Sequence, residues 1–261
     1  MKVGFIGCGN MGSALATAIS RVKTTDVYIY DPNTEKTKAF ADSINANISS
    51  AEDIAALCDY IFLAVKPIMA LSVIKSLSPY IKKGKGCVVS MLAGKEIRAL
   101  ELLGLPDTPI IRIMPNTAVK LGRGVTVYAA NSLVTDSIEA GFKQIMKETG
   151  LLDKLPESLI DAESAIAGSG PAFAYIFADA LAAGGVAQGL PRDKALLYAA
   201  KMLEGAAAML ISSGEHPDKL RDDVCSPGGS TVEGVIALER AGFRGAVADA
   251  IAATVDKVKK L

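Results

Sequence analysis

Glycines near the start of the chain are spaced for binding a dinucleotide. They follow the pattern Gly-x-Gly-x-x-Gly and lie between a predicted strand and a predicted helix. In that context the first glycine permits a tight turn, the second lets the backbone approach a pyrophosphate, and the third lets the helix pack on the strand. We predict a dinucleotide site here, with a purely structural turn as the alternative. The residues are Gly7, Cys8, Gly9, Asn10, Met11 and Gly12.

An acidic residue follows the second predicted strand, 19 residues after the last of these glycines. A carboxylate at that distance commonly binds the adenine ribose 2′-hydroxyl of NAD, and Asp31 should repel the 2′-phosphate of NADP. Asn33, Thr34 and Lys36 come directly after it and could form a phosphate pocket. Asp31 and Pro32 could also do no more than start a turn. We therefore expect both NADPH and NADH to be used.

Further candidates end the later strands of the first half. Ligands of open parallel sheets lie over the carboxyl ends of strands, so these residues should border the ribose and the nicotinamide or the substrate. Lys66 could instead be a surface lysine in a salt bridge, and Asn116 could instead serve a turn. The candidates are Ala64, Val65, Lys66, Pro67, Ala93 and Asn116.

A second glycine-rich segment predicts an anion site in the other half of the chain. Pro227, Gly228, Gly229, Ser230 and Thr231 precede a predicted helix. Backbone N–H groups at a helix start form a nest for a carboxylate, and the last two residues add hydroxyls. Helix capping by Ser or Thr needs no function and is the alternative interpretation.

The elements that must position these residues change character near residue 153. Apolar strand-like runs alternate with helix-length segments up to that point, which predicts a mainly parallel, doubly wound Rossmann sheet over residues 1–153. Ala-rich helical stretches punctuated by Gly and Pro predict an all-α domain over residues 154–261. The predicted strands cover residues 3–6, 27–30, 60–65, 86–91, 110–114 and 125–129.

One predicted helix of the second half is apolar on nearly all sides. Residues 172–183 contain a single charged residue, so this helix should be buried on every side. A domain of this size rarely encloses a helix completely, and burial by a second subunit is the economical explanation. We expect a dimer through this domain. A helix held between the two domains of one chain is the alternative.

Composition excludes several classes of function. Twenty-eight basic residues balance 28 acidic ones without a polybasic stretch, so we expect no nucleic-acid partner. The longest uncharged run of the second half has 15 residues, 164–178, so we expect no membrane span. One histidine and four scattered cysteines predict neither a metal site nor a Ser-His-Asp triad. Free cysteines fit a reducing cytoplasm.

Six motifs in this order resemble the pyrroline-5-carboxylate reductase family over the whole chain, and the last of them is the most specific. They are GCGNMG at 7–12, AVKP at 64–67, RIMPN at 112–116, AGSGPAFAY at 167–175, GLPRDKA at 189–195 and DDVCSPGGSTVEGV at 222–235.

The resemblance implies a Rossmann domain followed by a helical domain that intertwines with a second subunit, and dimers that assemble into decamers. It implies hydride transfer from NAD(P)H, usually NADPH, to C5 of 1-pyrroline-5-carboxylate, giving L-proline. Residues 227–231 would hold the substrate, and Thr231 would handle the proton. Asp31 departs from the family, because many members carry no acid there.

Two other functions are compatible with parts of the sequence. β-Hydroxyacid dehydrogenases share the two-domain plan but need a lysine that residues 171–190 do not contain. A dinucleotide-binding sensor or scaffold dimer would need no turnover, and the glycine-rich segment at 227–231 argues against it.

A protonated cyclic imine is already electrophilic, so its reduction requires orientation more than acid catalysis.

Overall fold

A computed structural model describes residues 1–84 and 86–258, and it divides into two compact units. Residues 1–168 and 255–258 form the first unit, and Ser169–Thr254 form the second. The first unit thus extends 15 residues beyond the boundary expected after residue 153. The added segment belongs there because its short helices contact strands of the first unit.

An eight-stranded sheet forms the centre of the first unit. Its order is β3-β2-β1-β4-β5-β6-β7-β8, and only β6 and β7 pair antiparallel. The predicted doubly wound, mainly parallel sheet is therefore confirmed. The strands are β1 Lys2–Ile6, β2 Asp26–Tyr30, β3 Asn47–Ile48, β4 Tyr60–Leu63, β5 Cys87–Ser90, β6 Ile110–Pro115, β7 Gly124–Ala130 and β8 Gly150–Lys154.

Helices cover both faces of this sheet, and side chains of each strand alternate between two apolar layers. Phe5 and Phe62 stack on one face with ring centroids 4.7 Å apart, whereas Ile61 and Leu63 pack on the other. Burial on both faces explains the nearly unbroken apolar runs. The helices are α1 Asn10–Ile19, α2 Thr34–Ile44, α3 Ala51–Leu57, α4 Ala70–Gly84, α5 Ile97–Leu102, α6 Asp136–Met146 and α7 Ile160–Glu163, which continues as a π-helix over Ser164–Gly168.

The second unit is helical, as predicted. Its helices are α8 Gly170–Ala187, α9 Arg192–Ser213, α10 Pro217–Val224, α11 Ser230–Arg240 and residues 243–254 of α12 Phe243–Val258. Large apolar side chains of α8 and α9 lie in solvent in the single chain, with Tyr175 69% and Ile211 83% exposed. The helix predicted to be apolar on nearly all sides is therefore not enclosed by its own chain.

Two helical stretches, Glu157–Ala187 and Arg192–Ser213, are long and apolar enough to cross a membrane by length and composition. The exclusion drawn from the sequence considered only uncharged runs, and it overlooked these stretches because both contain charged residues. Helices that bury apolar sides in a protein interface have the same composition. The two stretches therefore do not by themselves indicate a membrane.

A charge network holds α6 against the last two strands. Oε1 of Glu139 accepts a hydrogen bond from the Tyr128 hydroxyl at 2.8 Å and lies 2.9 Å from Lys143 Nζ. Oε2 accepts a hydrogen bond from Lys154 Nζ at 2.6 Å. Hydrogen bonds from Lys143, Lys154 and Tyr128 lower the pKa of Glu139 from 4.5 to about 2. The ionised carboxylate therefore stabilises the fold.

We expect Glu139→Gln to lower the free energy of unfolding by about 1–2 kcal/mol near neutral pH. Because the folded-state pKa is depressed, this contribution is complete above about pH 4.5 and is lost as pH falls toward 2. Urea unfolding at pH 7, 5 and 3 measures it. Glu148→Gln, at an exposed site, is the control and should change little. A difference between Glu139→Gln and wild type that persists unchanged at pH 3 would contradict the assignment.

Candidate functional site

A cavity of about 500 Å³ opens at the carboxyl ends of β1, β2 and β4. The strand order reverses at β1, so the cavity lies at the switch point where such sheets bind ligands. It brings together six of the predicted residues. These are Gly7, Gly9, Asp31, Ala64, Val65 and Lys66.

The remaining predicted residues of the first unit stand outside the cavity wall. Half of them are neighbours in sequence of residues that line it, whereas Ala93 and Asn116 follow β5 and β6, farther along the sheet. Their contact with a ligand stays a prediction. They are Cys8, Asn10, Met11, Gly12, Asn33, Pro67, Ala93 and Asn116.

The turn from β1 to α1 leaves no room for side chains at two of its three glycines. Gly7 has φ +103°, and a Cβ there would lie 2.5 Å from the carbonyl oxygen of Ala64. A Cβ on Gly12 would lie 2.5 Å from the carbonyl oxygen of Gly7 and 2.9 Å from Cβ of Ala64. Within the described chain, nothing lies within 4 Å of a Cβ on Gly9. Gly9 therefore leaves open the space that a pyrophosphate needs.

Asp31 fastens this turn. Its Oδ2 accepts a hydrogen bond from the N–H of Cys8 at 2.8 Å, and its Oδ1 accepts one from the N–H of Asn33 at 3.0 Å. The turn role that the sequence left open for Asp31 is therefore present in the structure. It does not prevent a ribose contact, because each carboxylate oxygen accepts more than one hydrogen bond. Sequence reasoning missed the bond to Cys8.

The thiol of Cys8 stays neutral. Burial, and then the charge of Asp31, raises its pKa from 9.0 to about 12. A neutral thiol is a poor nucleophile, and it does not repel phosphate oxygens.

An apolar wall of the cavity was also missed. Tyr30 ends β2, and Met69 and Val73 lie one turn apart, just before and within the first turns of α4. The spacing of four residues between Met69 and Val73 was the available signal. Such a wall suits the flat face of an aromatic ring.

Asn116 is bound to the protein's own backbone. Its Oδ1 accepts from the N–H groups of Ala118 at 3.2 Å and Val125 at 3.3 Å, and its Nδ2 donates to the carbonyl of Ala167 at 3.0 Å. The residue is 8% exposed. The turn role left open in the sequence is present, and one N–H remains for a ligand.

A buried arginine on β6, the strand that Asn116 follows, was not singled out from the sequence. Arg112, 1% exposed, donates to Asp161 at 2.7 Å and to Glu157 at 3.3 Å. Glu157 also accepts the N–H of Ile97 at 2.7 Å. Together with Asn116, this arginine holds residues 157–168 on the sheet. A charge inside the apolar run of β6 was the available signal.

The second predicted site lies in the second unit, where residues 225–229 join α10 to α11, and Ser230 and Thr231 begin α11. We call residues 225–231 the substrate loop after the role predicted for them. Gly229 is the N-cap of α11, and no side chain forms a capping hydrogen bond at this helix start. The capping role left open for Ser230 and Thr231 is therefore not found. Gly229 itself donates its N–H to the carbonyl of Ser226 at 2.9 Å. This corrects the expectation that Gly229 offers its N–H to a ligand.

The other donors of the substrate loop remain available. Across residues 1–84 and 86–258, no hydrogen bond engages the N–H of Gly228, Ser230 or Thr231. The hydroxyls of Ser230 and Thr231 also have no partner there. Gly228 has φ +68°, which turns the chain into the helix. The start of α11 therefore presents unpaired donors and the positive end of the helix dipole to solvent.

Comparison with known proteins matches both halves of the chain. Residues 157–261 match the family model for pyrroline-5-carboxylate reductase dimerisation, and residues 2–94 match that for coenzyme F420-dependent NADP oxidoreductases. The chain is 38% identical to the pyrroline-5-carboxylate reductase of Escherichia coli, covering 100% of this chain and 98% of the relative. It is 37% identical to pyrroline-5-carboxylate reductase 3 of Danio rerio, covering 100% and 91%.

Solved structures show the same likeness. The Plasmodium falciparum pyrroline carboxylate reductase with NADP bound has a TM-score of 0.91 at 32% identity, covering 100% of this chain and 97% of that one. The Streptococcus pyogenes 1-pyrroline-5-carboxylate reductase also has a TM-score of 0.91 at 32% identity, covering 100% and 99%.

Two alanine substitutions separate the roles of the glycines. Gly9→Ala should keep the thermal midpoint and weaken NADPH and NADH binding at least about tenfold, because the methyl group enters the open space over the turn. Gly12→Ala should cost about 1–3 kcal/mol of stability, because its Cβ meets backbone. Calorimetry measures the stability of each variant, and nucleotide fluorescence measures its affinity for NADPH and NADH. Wild-type nucleotide affinity in Gly9→Ala would show that residues 7–12 do not contact the phosphates.

Proposed function

The chain belongs to the pyrroline-5-carboxylate reductase family, and on that premise we propose which residues carry out the reaction. The protein is an NAD(P)H-dependent oxidoreductase that reduces the cyclic imine 1-pyrroline-5-carboxylate to L-proline. The full-length likeness to reductases of this name carries the conclusion. Oxidation of NAD(P)H in the presence of pyrroline-5-carboxylate tests it.

The cavity of the first unit holds the cofactor. The reductase of Plasmodium falciparum was solved with NADP bound, which supports NADP(H) as the cofactor of this chain. The glycine turn fits that group, since a side chain at Gly9 would fill the space it leaves for phosphates. Tyr30, Met69 and Val73 would hold the adenine, and Asp31 would contact the ribose. When bound, the reduced nicotinamide supplies the hydride.

The substrate loop of the second unit holds the imine. The substrate carries one carboxylate, which the free N–H groups of Gly228, Ser230 and Thr231 bind at the positive end of α11. Gly229 contributes through backbone shape, because its own N–H is engaged. No buried lysine is needed for this recognition.

Thr231 handles the change at the ring nitrogen. A hydroxyl both donates and accepts, so it can hydrogen-bond the nitrogen as iminium becomes amine. The protonated imine is electrophilic before reaction, so these side chains need only orient the ring and hold the proton. The neutral thiol of Cys8 and the single histidine have no part in the step.

The second unit joins two copies of the chain. The family model matching residues 157–261 describes dimerisation, and α8 and α9 expose large apolar side chains that a second copy would cover. Further assembly into a decamer follows from family likeness. We place the enzyme in the cytoplasm, without nucleic-acid or membrane partners.

Thr231→Ala should lower kcat/KM for the imine by roughly one to two orders of magnitude, which corresponds to ~1.5–3 kcal/mol for a hydrogen bond to a charged group. KM for NADPH should stay unchanged, because the loop and the glycine turn belong to different units. Thr231→Ser keeps a hydroxyl and should recover most of the activity. Wild-type kinetics in Thr231→Ala, or equal losses toward imine and NADPH, would contradict the role.

Asp31→Ser should raise the NADPH/NADH ratio of kcat/KM by about tenfold, because a like-charge repulsion with the 2′-phosphate is removed. Asp31→Asn removes the same charge and should also raise this ratio. It keeps one oxygen able to accept the N–H of Cys8 or of Asn33. Steady-state kinetics with NADPH and with NADH measure this ratio for each variant. An unchanged ratio in both variants would show that Asp31 does not face the ribose.

A further inference from the structure

One arginine bonds to both helices that flank the substrate loop. Arg244 is the second residue of α12. Its Nε donates to Glu239 Oε1 of α11 at 2.8 Å, and one terminal nitrogen donates to Asp218 Oδ1 of α10 at 2.9 Å. The same guanidinium thus joins the helix before the loop, the helix after it and α12.

This arrangement suits arginine in particular. The planar guanidinium donates in two directions at once and can reach two carboxylates on different helices. Asp218 also accepts from Arg221 within α10 at 2.8 Å. The hydrogen bond from Arg244 and the charges of both arginines lower the pKa of Asp218, so its carboxylate stays ionised.

The start of α12 is itself anchored. Phe243 packs against Phe177 of α8, with ring centroids 5.7 Å apart. Arg244 therefore extends from a fixed position. An exposed ion pair alone contributes little, but a residue that joins three helices restricts their relative motion.

The loop needs such a restraint because its own backbone is permissive. Two of its residues are glycines, and Gly228 has a positive φ, so the loop fixes the direction of α11 only weakly. Glu239 and Ser230 lie on the same helix. Holding Glu239 against α10 therefore fixes where the free N–H groups at the start of α11 point.

We propose that Arg244 is a positioning residue for the substrate, which fixes the first turn of α11 by bonding Asp218 and Glu239 together. This inference rests on the proposed function of the substrate loop. Arg244 touches no reacting atom, so its loss should affect binding of the imine carboxylate more than the cofactor.

Arg244→Gln should raise KM for pyrroline-5-carboxylate about tenfold, because misplaced donors bind the carboxylate less well. KM for NADPH, the thermal midpoint and the mass by light scattering should match wild type. Asp218→Asn and Glu239→Gln should give smaller rises. The double variant Arg244→Gln/Glu239→Gln should be no worse than Arg244→Gln, because the two residues act through one link.

Two further variants separate position from charge. Arg244→Lys keeps the charge without the planar donors and should give an intermediate KM. Lys219→Gln removes a positive charge from α10, where Lys219 pairs with Asp223 inside one helix, and should leave KM unchanged. An equal rise in Lys219→Gln would overturn the inference in favour of general electrostatics.

Other outcomes also decide the question. Wild-type KM in Arg244→Gln, or a rise in KM for NADPH equal to that for the imine, would overturn the positioning role. So would a loss that follows a lowered thermal midpoint or a smaller mass. If Thr231→Ala loses activity as expected but Arg244→Gln does not, only this inference fails. If Thr231→Ala is silent, the proposed function of the loop fails first.

Discussion

Close approach of backbone to backbone at the β1–α1 turn is the constraint on which the first unit depends. A Cβ on Gly7 or Gly12 would lie 2.5 Å from a carbonyl oxygen, so only glycine permits β1, α1 and the end of β4 to meet there. That contact places the start of α1 beside the cavity. Asp31 then holds the turn by accepting the N–H of Cys8. Sterics and one carboxylate together shape the surface that a dinucleotide needs.

The second unit solves a different problem. Its helices cannot enclose their own apolar side chains, whereas the first unit buries its strands on both faces. Its apolar sides are left for a second copy, and ion pairs join the helices on either side of the loop before α11. Arg244 restrains the helices around that loop with partners that remain partly exposed. The apolar surface thus serves assembly, and the charges serve local geometry.

The modest chemical inventory agrees with the reaction. A protonated imine accepts hydride without a metal, a nucleophile or a strong acid, so a site can be built from backbone donors and one hydroxyl. In the site that we propose, the substrate loop provides free N–H groups, and Thr231 provides the hydroxyl. Selectivity then depends on where those groups point, which is why the residues that hold α11 matter.

The sequence alone determined the sheet's six central strands and the helical second half, because burial leaves a periodic apolar pattern. It also indicated the close packing at Gly7 and Gly12. It did not reveal β3 or β8, since these edge strands are short or polar and need no apolar run. Only the tertiary structure decided that Asn116 hydrogen-bonds to backbone and that Gly229 donates its N–H to the carbonyl of Ser226. It also decided that Arg244 donates to Asp218, 26 residues away in sequence. Local pattern records which face of an element is buried. It does not record which distant side chain arrives there, because that depends on how the elements pack.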